Sequence, residues 1–120
     1  MKASSARLAL AIGLLASTLG TQVGHAGGCE MIRFERGQSS GTLRGVAPPE
    51  DSVCYEMTTG AGQTATLEIK GRNVMFSIDG VVDGRDRYSF TTEKRTYRVI
   101  VGQLMRAVHN EPFTLSVSIK

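Results

Sequence analysis

The stretch Phe113-Thr114-Leu115-Ser116-Val117-Ser118-Ile119 decides the fold, because apolar and hydroxyl side chains alternate along it without a break. Successive side chains of a β-strand point to opposite faces, so a period of two places one set in a core and the other toward solvent. The same alternation, often in a shorter form, recurs through the chain. It occurs at 42–46, 53–57, 65–69, 74–78, 88–91 and 97–101, with Ile32 and Phe34 as a short first strand.

Turn-forming residues separate these runs at short intervals. Pro48-Pro49 excludes a central strand at that point, and Gly60-Ala61-Gly62 lies between two alternating runs. Asp79-Gly80 and Asp83-Gly84 are both suited to the positive φ of tight turns. Short strands at this spacing predict an all-β fold, an antiparallel β-sandwich with a jelly-roll-like layout and about eight short strands.

The first 26 residues have the pattern of a secretory signal peptide. Lys2 and Arg7 form a basic start, residues 8–19 are nearly all apolar or small, and Gly24-His25-Ala26 places small residues at positions −3 and −1 of a cleavage site. The apolar stretch is too short to span a bilayer. We therefore expect a single mature domain at 27–120 that is periplasmic or secreted, with no stable membrane insertion after cleavage.

The leader carries a disproportionate part of the positive charge. Lys2 and Arg7 are two of the 14 basic residues, and none of the 11 acidic residues lies in the leader. The mature chain therefore has 12 bases against 11 acids, a net charge of +1. With so small a net field and few aromatic residues, we expect no nucleic-acid partner.

Two cysteines remain in the mature chain, Cys29 and Cys54, and an exported chain folds in an oxidising compartment. A disulfide bond between them would stabilise so small a domain by about 3–4 kcal/mol. Cys54 has the parity opposite to Val53 and Tyr55, so we expect the bridge to fasten the amino-terminal segment to the outside of a sheet. Lipidation of Cys29 is a minor alternative, because Ala26 stands where a lipobox usually has leucine.

Three parts of the chain together resemble a known family. They are IRFERGQSSGT at 32–42, DSVCY at 51–55 followed by GAGQTATL at 60–67, and the alternating runs 97–101 and 113–117 with Leu104-Met105-Arg106 between them. This layout is similar to exported bacterial pre-peptidase C-terminal domains and, within that layout, to the small periplasmic inhibitors of goose-type lysozyme. The resemblance implies a β-sandwich that binds a goose-type lysozyme and catalyses no reaction.

The loop before the last strand, from Gln103 to Pro112, is the candidate contact for such a partner. A lysozyme cleft is lined by a catalytic carboxylate, with which a guanidinium forms charge-assisted hydrogen bonds. Arg106 is the principal candidate, with His109 and Asn110 in support. Leu104 and Met105 are expected to anchor the loop.

Arg98 is a further candidate for partner binding, because it has the solvent parity of its strand. Arg95, Arg98 and Arg106 would lie near one another if the last two long strands pair. The alternative for each of these residues is an ordinary charged outer face without a partner.

Enzymatic and metal-dependent roles have weaker support. The mature chain has one histidine, His109, and no nucleophile elbow, so we expect no catalytic residues and no cofactor. Residues 79–86 offer three aspartates, for which calcium binding is the alternative to a plain hairpin with Asp-Gly turns. The EF-hand spacing is absent and Arg85 and Arg87 would offset the charge, so we expect the hairpin and no metal site. The second hypothesis is a stand-alone pre-peptidase-like envelope module that binds carbohydrate or protein without inhibitory activity.

Overall fold

A computed structural model of the chain describes residues 28–120, so the predicted leader at 1–26 lies outside the described residues. Nine strands account for most of this part of the chain. They are β1 (Glu30–Met31), β2 (Ser40–Ala47), β3 (Val53–Thr59), β4 (Thr64–Gly71), β5 (Val74–Ile78), β6 (Val82–Arg85), β7 (Arg87–Thr91), β8 (Arg95–Gln103) and β9 (Glu111–Ile119). Between Gly28 and the carboxyl terminus, no helix is long and apolar enough to cross a membrane.

The strands form two packed sheets. Sheet A has the order β1-β3-β8-β5-β6, and sheet B has the order β2-β9-β4-β7. Every pair is antiparallel except β1 with β3, which is parallel. The predicted all-β sandwich is therefore confirmed, with nine strands where about eight were expected.

The core lies between the two sheets and takes the apolar set of each alternating strand. In β9 the burial alternates strictly, with Phe113, Leu115, Val117 and Ile119 buried. The largest fully buried side chains are Phe76, Met57, Leu67, Ile78, Leu115, Val99, Val101 and Val117. Burying a side chain of this size stabilises a fold by about 1.5–3 kcal/mol, so this alternation is the main source of the stability of the sandwich.

The first strand differs from the prediction. It consists of Glu30 and Met31, and Ile32 continues the parallel pairing with one more bond, from its N to the Glu56 O at 2.8 Å. The chain then leaves sheet A toward β2, where the Phe34 ring packs against Gly41. Ile32 and Phe34 thus belong to the connection between β1 and β2, and their apolar side chains cover one edge of the core.

The prediction of a turn at both Asp-Gly pairs is correct for one pair and wrong for the other. Asp79-Gly80 makes the expected turn, closed by a bond from Val81 N to Ile78 O at 2.8 Å. Asp83 and Gly84 instead lie inside β6, beside a shift in the β5–β6 register. Gly84 has a φ of 52°, so the positive φ expected of this dipeptide forms an irregularity in a strand.

β8 and β9 lie in opposite sheets, so the condition under which Arg95, Arg98 and Arg106 would lie near one another is not met. β8 is bonded to β3 and β5, whereas β9 is bonded to β2 and β4. Both strands bury an alternating apolar set against the shared core, one from each side. The loop that joins them therefore crosses from sheet A to sheet B at one end of the sandwich.

A disulfide bond joins Cys29 and Cys54, as predicted, with a Cα–Cα distance of 4.6 Å. Cys54 lies between Val53 and Tyr55 in β3 and faces away from the core. The bridge thus holds the segment that leads into β1 against the outside of sheet A. The bond uses the Cys29 sulfur atom that the lipidation alternative would also require, so the structure favours the bridge.

Candidate functional site

The segment between β8 and β9, residues 104–110, is called here the end loop. β8 continues to Gln103 and β9 begins at Glu111, so the loop is shorter than predicted at both ends and Pro112 belongs to β9. The turn between β4 and β5, at Arg72 and Asn73, lies beside it. The end of β2 at Ala47 lies at the same end of the sandwich.

Asn73 fastens the first half of the end loop. Its side-chain Nδ2 donates to the Met105 O at 2.6 Å, and its Oδ1 accepts from the Met105 N at 2.8 Å. Its backbone O accepts from the Leu104 N at 2.9 Å. Asn73 has a φ of 60°, a left-handed conformation that asparagine tolerates better than most residues, and this turns its amide toward the loop.

Gln103 fastens the second half. Its Oε1 accepts from the Ala107 N at 2.8 Å, and its Nε2 donates to the His109 O at 3.0 Å and to the Ala47 O at 3.0 Å. A primary amide has two N–H donors, so both Nε2 bonds can form at once. The side chain therefore links the loop to itself and to the end of β2 in sheet B.

The end loop exposes apolar side chains that the rest of the sandwich buries. Leu104, Met105 and Val108 are 63%, 72% and 95% exposed. Within residues 28–120 the other exposed large hydrophobic side chain is Val46, which faces Pro112 where the loop joins β9. The expectation that Leu104 and Met105 anchor the loop is wrong, because the two amides hold its backbone and leave these side chains in water. Apolar side chains grouped on one exposed loop are a feature of many interaction surfaces.

Arg106 carries the positive charge of the loop. Its Nη1 lies 3.9 Å from the Glu50 Oε2, and both side chains are 73% exposed. An ion pair in water contributes about 0–1 kcal/mol. The guanidinium is therefore free to exchange this partner for a carboxylate on another molecule at little cost.

His109 and Asn110 lie at the end of the same loop, as predicted. The His109 side chain is 67% exposed, and its Nε2 lies 3.6 Å from the Oε2 of Glu111, whose side chain is 7% exposed. Asn110 is exposed and directly precedes β9. The structure thus brings Arg106, His109 and Asn110 together on one short loop.

Arg98 does not belong to this group. It is exposed on β8 and pairs in register with Glu56 of β3. Five residues separate it from the end of β8, about 17 Å along an extended strand. Arg95 is further still, with its guanidinium over the Tyr97 ring at 4.3 Å. The three arginines therefore do not form one cluster at the end loop, since that arrangement required pairing between β8 and β9.

The acidic residues at 79–86 do not converge. Asp79 lies in a turn and Asp83 in β6, while the Asp86 O accepts from the Ile69 N in sheet B at 2.8 Å. Among the residues that the structure describes, no three histidine, cysteine or carboxylate side chains are placed to hold one metal ion.

No family model matches the chain, and no curated protein matches its sequence. Solved structures do match. PliG of Aeromonas hydrophila, a periplasmic lysozyme inhibitor of g-type lysozyme, matches with a TM-score of 0.66 and 27% identity, covering 77% of this chain and 96% of that chain.

Two further structures show how far the likeness extends. PliG of Salmonella Typhimurium has a TM-score of 0.60 at 18% identity, covering 78% of this chain and 99% of that chain. The pre-peptidase C-terminal domain of a collagenase from Bacillus anthracis has a TM-score of 0.56 at 9% identity, covering 78% and 95%. The chain is thus similar in fold to both groups named from its sequence, and that resemblance is confirmed.

Proposed function

We propose that this protein is an exported, non-enzymatic inhibitor of a goose-type lysozyme. The observation that carries the proposal is the likeness to Aeromonas hydrophila PliG, which at 27% identity extends over 96% of that inhibitor. A likeness over nearly the whole of a small inhibitor supports a shared role better than a likeness over one part. The disulfide bond and the leader-like sequence at 1–26 support a periplasmic or secreted location.

The end loop is the part of the molecule that enters the active-site cleft in this proposal. The hydrogen bonds of Asn73 and Gln103 fix its shape before binding, so little conformational entropy is lost on association. Leu104, Met105 and Val108 exclude water from the contact. Within it, hydrogen bonds between charged groups are stronger than in water.

Arg106 supplies the charge in this arrangement. Its guanidinium leaves Glu50 and forms charge-assisted hydrogen bonds with the carboxylate in the cleft. His109 and Asn110 add donors beside it. Arg98 has no role in this contact, because it lies on sheet A far from the loop.

The test is a lytic assay with protein purified from the periplasm after expression of the whole chain. We expect the rate of a goose-type lysozyme to fall toward zero near a 1:1 molar ratio, with hen-type and invertebrate-type lysozymes as measures of selectivity. Arg106→Ala is expected to weaken inhibition by about 30-fold or more, the effect of removing one side of a desolvated charge pair. Arg98→Ala is the matched control and leaves inhibition unchanged. Unchanged lysis at excess wild-type protein removes the proposal.

The second candidate is a pre-peptidase-like module that binds an envelope component without inhibiting a lysozyme. The similarity to the Bacillus anthracis collagenase domain favours it, although at 9% identity that similarity concerns the fold alone. No inhibition of any lysozyme, together with retention on cell-wall material, would favour this candidate over the first.

A further inference from the structure

The outer face of sheet B, which points away from the core, is rich in hydroxyl groups. Its four strands have 15 outward positions, which alternate with the core-facing ones, and nine are serine or threonine. They are Ser40 and Thr42 on β2, Thr114, Ser116 and Ser118 on β9, Thr64 and Thr66 on β4, and Ser89 and Thr91 on β7. Thr66 and Ser89 already bond each other across β4 and β7 at 2.8 Å.

Six of these hydroxyls line two depressions that follow each other along β9, called here together the β9 groove. Thr114, Ser116 and Ser118 form its floor and are half-buried, whereas the neighbouring outward residues of β2 are exposed. A depression of about 230 Å³ surrounds Ser116 and Ser118, and a second of about 380 Å³ surrounds Thr114. Between residues 112 and 118 the strand extends about 20 Å, so the groove suits a chain-like ligand.

Cationic side chains border the groove on both sides. Arg44 of β2 and Lys70 of β4 are both in register with Thr114, one on each side of it. The Cα atoms of the two cations are therefore about 10 Å apart, two strand spacings. Arg87 lies further along, on β7.

One carboxylate, Glu68, lies among these outward positions. Its Oε1 is 3.4 Å from the Arg87 Nη1 and its Oε2 is 4.0 Å from the Lys70 Nζ. Three cations against one paired carboxylate leave this face positive, although the mature chain as a whole is close to neutral. The local field therefore favours an anionic ligand.

We propose that the β9 groove binds an anionic polysaccharide. Its sugar hydroxyls would bond the serine and threonine side chains, which both donate and accept, and its acidic groups would lie between Arg44 and Lys70. Outward positions of sheet B carry no aromatic side chain on which a nucleic-acid base could stack. A flat lipid surface would touch the borders of the groove and miss its floor.

The test uses hyaluronan oligosaccharides as a carboxylated probe, dextran oligosaccharides as a neutral one, and vesicles containing anionic lipid as a flat one. Titration of the isotope-labelled protein, followed by NMR, is expected to shift the amides of Thr114, Ser116 and Ser118 with hyaluronan alone. Because the contact pairs carboxylates with exposed cations, binding is expected to weaken between 50 and 500 mM salt. Equal binding of dextran, equal or tighter binding of vesicles, or shifts confined to the end loop would each overturn the proposal.

Two pairs of substitutions assign the binding to this face. Arg44→Ala with Lys70→Ala is expected to weaken hyaluronan binding at least tenfold at 50 mM salt. Arg36→Ala with Lys94→Ala removes the same charge from two exposed positions elsewhere and is expected to change the affinity less than twofold. Equal losses in the two double variants would mean non-specific attraction and would overturn the proposal.

The test of glycan binding and the test of lysozyme inhibition can fail independently, because they depend on different residues. With a soluble neutral substrate for the lysozyme, the Arg44/Lys70 variant is expected to inhibit as the wild type does. Arg106→Ala is expected to keep full hyaluronan binding. Loss of hyaluronan binding on Arg106→Ala would place the glycan at the end loop and overturn the assignment to the β9 groove.

Discussion

The side-chain amide of Asn73 pairs with the backbone of Met105 on both sides, donating to its O at 2.6 Å and accepting from its N at 2.8 Å. A neighbouring strand residue would bond an extended chain in the same way. In the part of the chain that the structure describes, the end loop has no neighbouring strand to bond its backbone at Met105, and the Asn73 side chain in the turn between β4 and β5 provides those two bonds instead. This contact keeps the loop backbone in one shape while the Leu104 and Met105 side chains remain in water.

We expect Asn73→Gly to loosen the end loop while the sandwich stays folded. Glycine accepts the φ of 60°, so the change removes only the two side-chain bonds. At about 0.5–1.5 kcal/mol for each bond, the free energy of unfolding should fall by about 1–3 kcal/mol. Hydrogen exchange should show faster exchange of the Met105 amide, and inhibition of the lysozyme should weaken with it.

Asn73→Ala, compared with Asn73→Gly, separates the contribution of the side-chain hydrogen bonds from that of the left-handed backbone conformation. It loses the same bonds and must also hold a left-handed conformation, at a further cost of about 1–2 kcal/mol. The alanine variant should therefore unfold at a lower urea concentration than the glycine variant. Unchanged exchange of the Met105 amide in both variants would contradict the role given to Asn73.

The alternating runs predicted β2 to β5 and β7 to β9 and their core residues, because burial of one face is a local property of a strand. They could not predict which strands share a sheet. β8 and β9 carry the same kind of apolar face, and either sheet would bury it. That choice depends on long-range pairing, and so did the conditional arrangement of Arg95, Arg98 and Arg106.

The end loop was predicted from its position, but the residues that hold it were not. An asparagine after Gly71-Arg72, between two alternating runs, is a recognisable signal for a left-handed turn position. Nothing in the sequence indicates that its amide reaches Met105, 32 residues further along. Two partners of Gln103, Ala107 and His109, lie in the same loop, but the third, the Ala47 O of β2, is defined only once the sheets have packed.

Gly45 is predicted to tolerate no side chain. A Cβ atom there would lie 2.6 Å from the Phe113 Cζ and 3.0 Å from the Tyr55 hydroxyl, both in the packed core. Gly45→Ala should therefore destabilise the fold by about 1–3 kcal/mol, as overpacking does, and lower the Tm by about 4–8 °C for each kcal/mol. Gly60→Ala is the control, because its nearest neighbour would be at an ordinary 3.5 Å. Equal melting temperatures for the two variants would show that Phe113 moves aside freely.

The disulfide bond is expected to contribute to stability more than to function. Closing the loop between Cys29 and Cys54 should stabilise the fold by about 3.5 kcal/mol, chiefly by restricting the unfolded chain. The double variant Cys29→Ser, Cys54→Ser should therefore unfold at lower urea with the same far-ultraviolet spectrum. Since the bridge lies on the outside of sheet A, inhibition at low temperature should persist. Identical urea midpoints before and after reduction of the wild type would contradict this prediction.

Tyr55 is expected to make the fold sensitive to alkaline pH. Burial raises the pKa of its hydroxyl above the ordinary value of 10.0, and the nearby Glu30 carboxylate raises this pKa further. The folded state therefore holds this proton more tightly than the unfolded chain does. That stabilisation is fully present below about pH 10 and is lost as the pH rises through the raised pKa.

Tyr55→Phe removes this titration and keeps the ring in the core. The Tm difference between wild type and Tyr55→Phe should stay constant from pH 7 to 9. Above about pH 10 the Tm of the wild type should fall relative to that of Tyr55→Phe. Glu30→Gln is the control. Because burial is the larger cause of the raised pKa of Tyr55, the Tm of this variant should fall above about pH 10 by most of the amount seen for the wild type. A difference between wild type and Tyr55→Phe that stays constant up to pH 11 would show that the Tyr55 hydroxyl can ionise without disturbing the packing between β3 and β2.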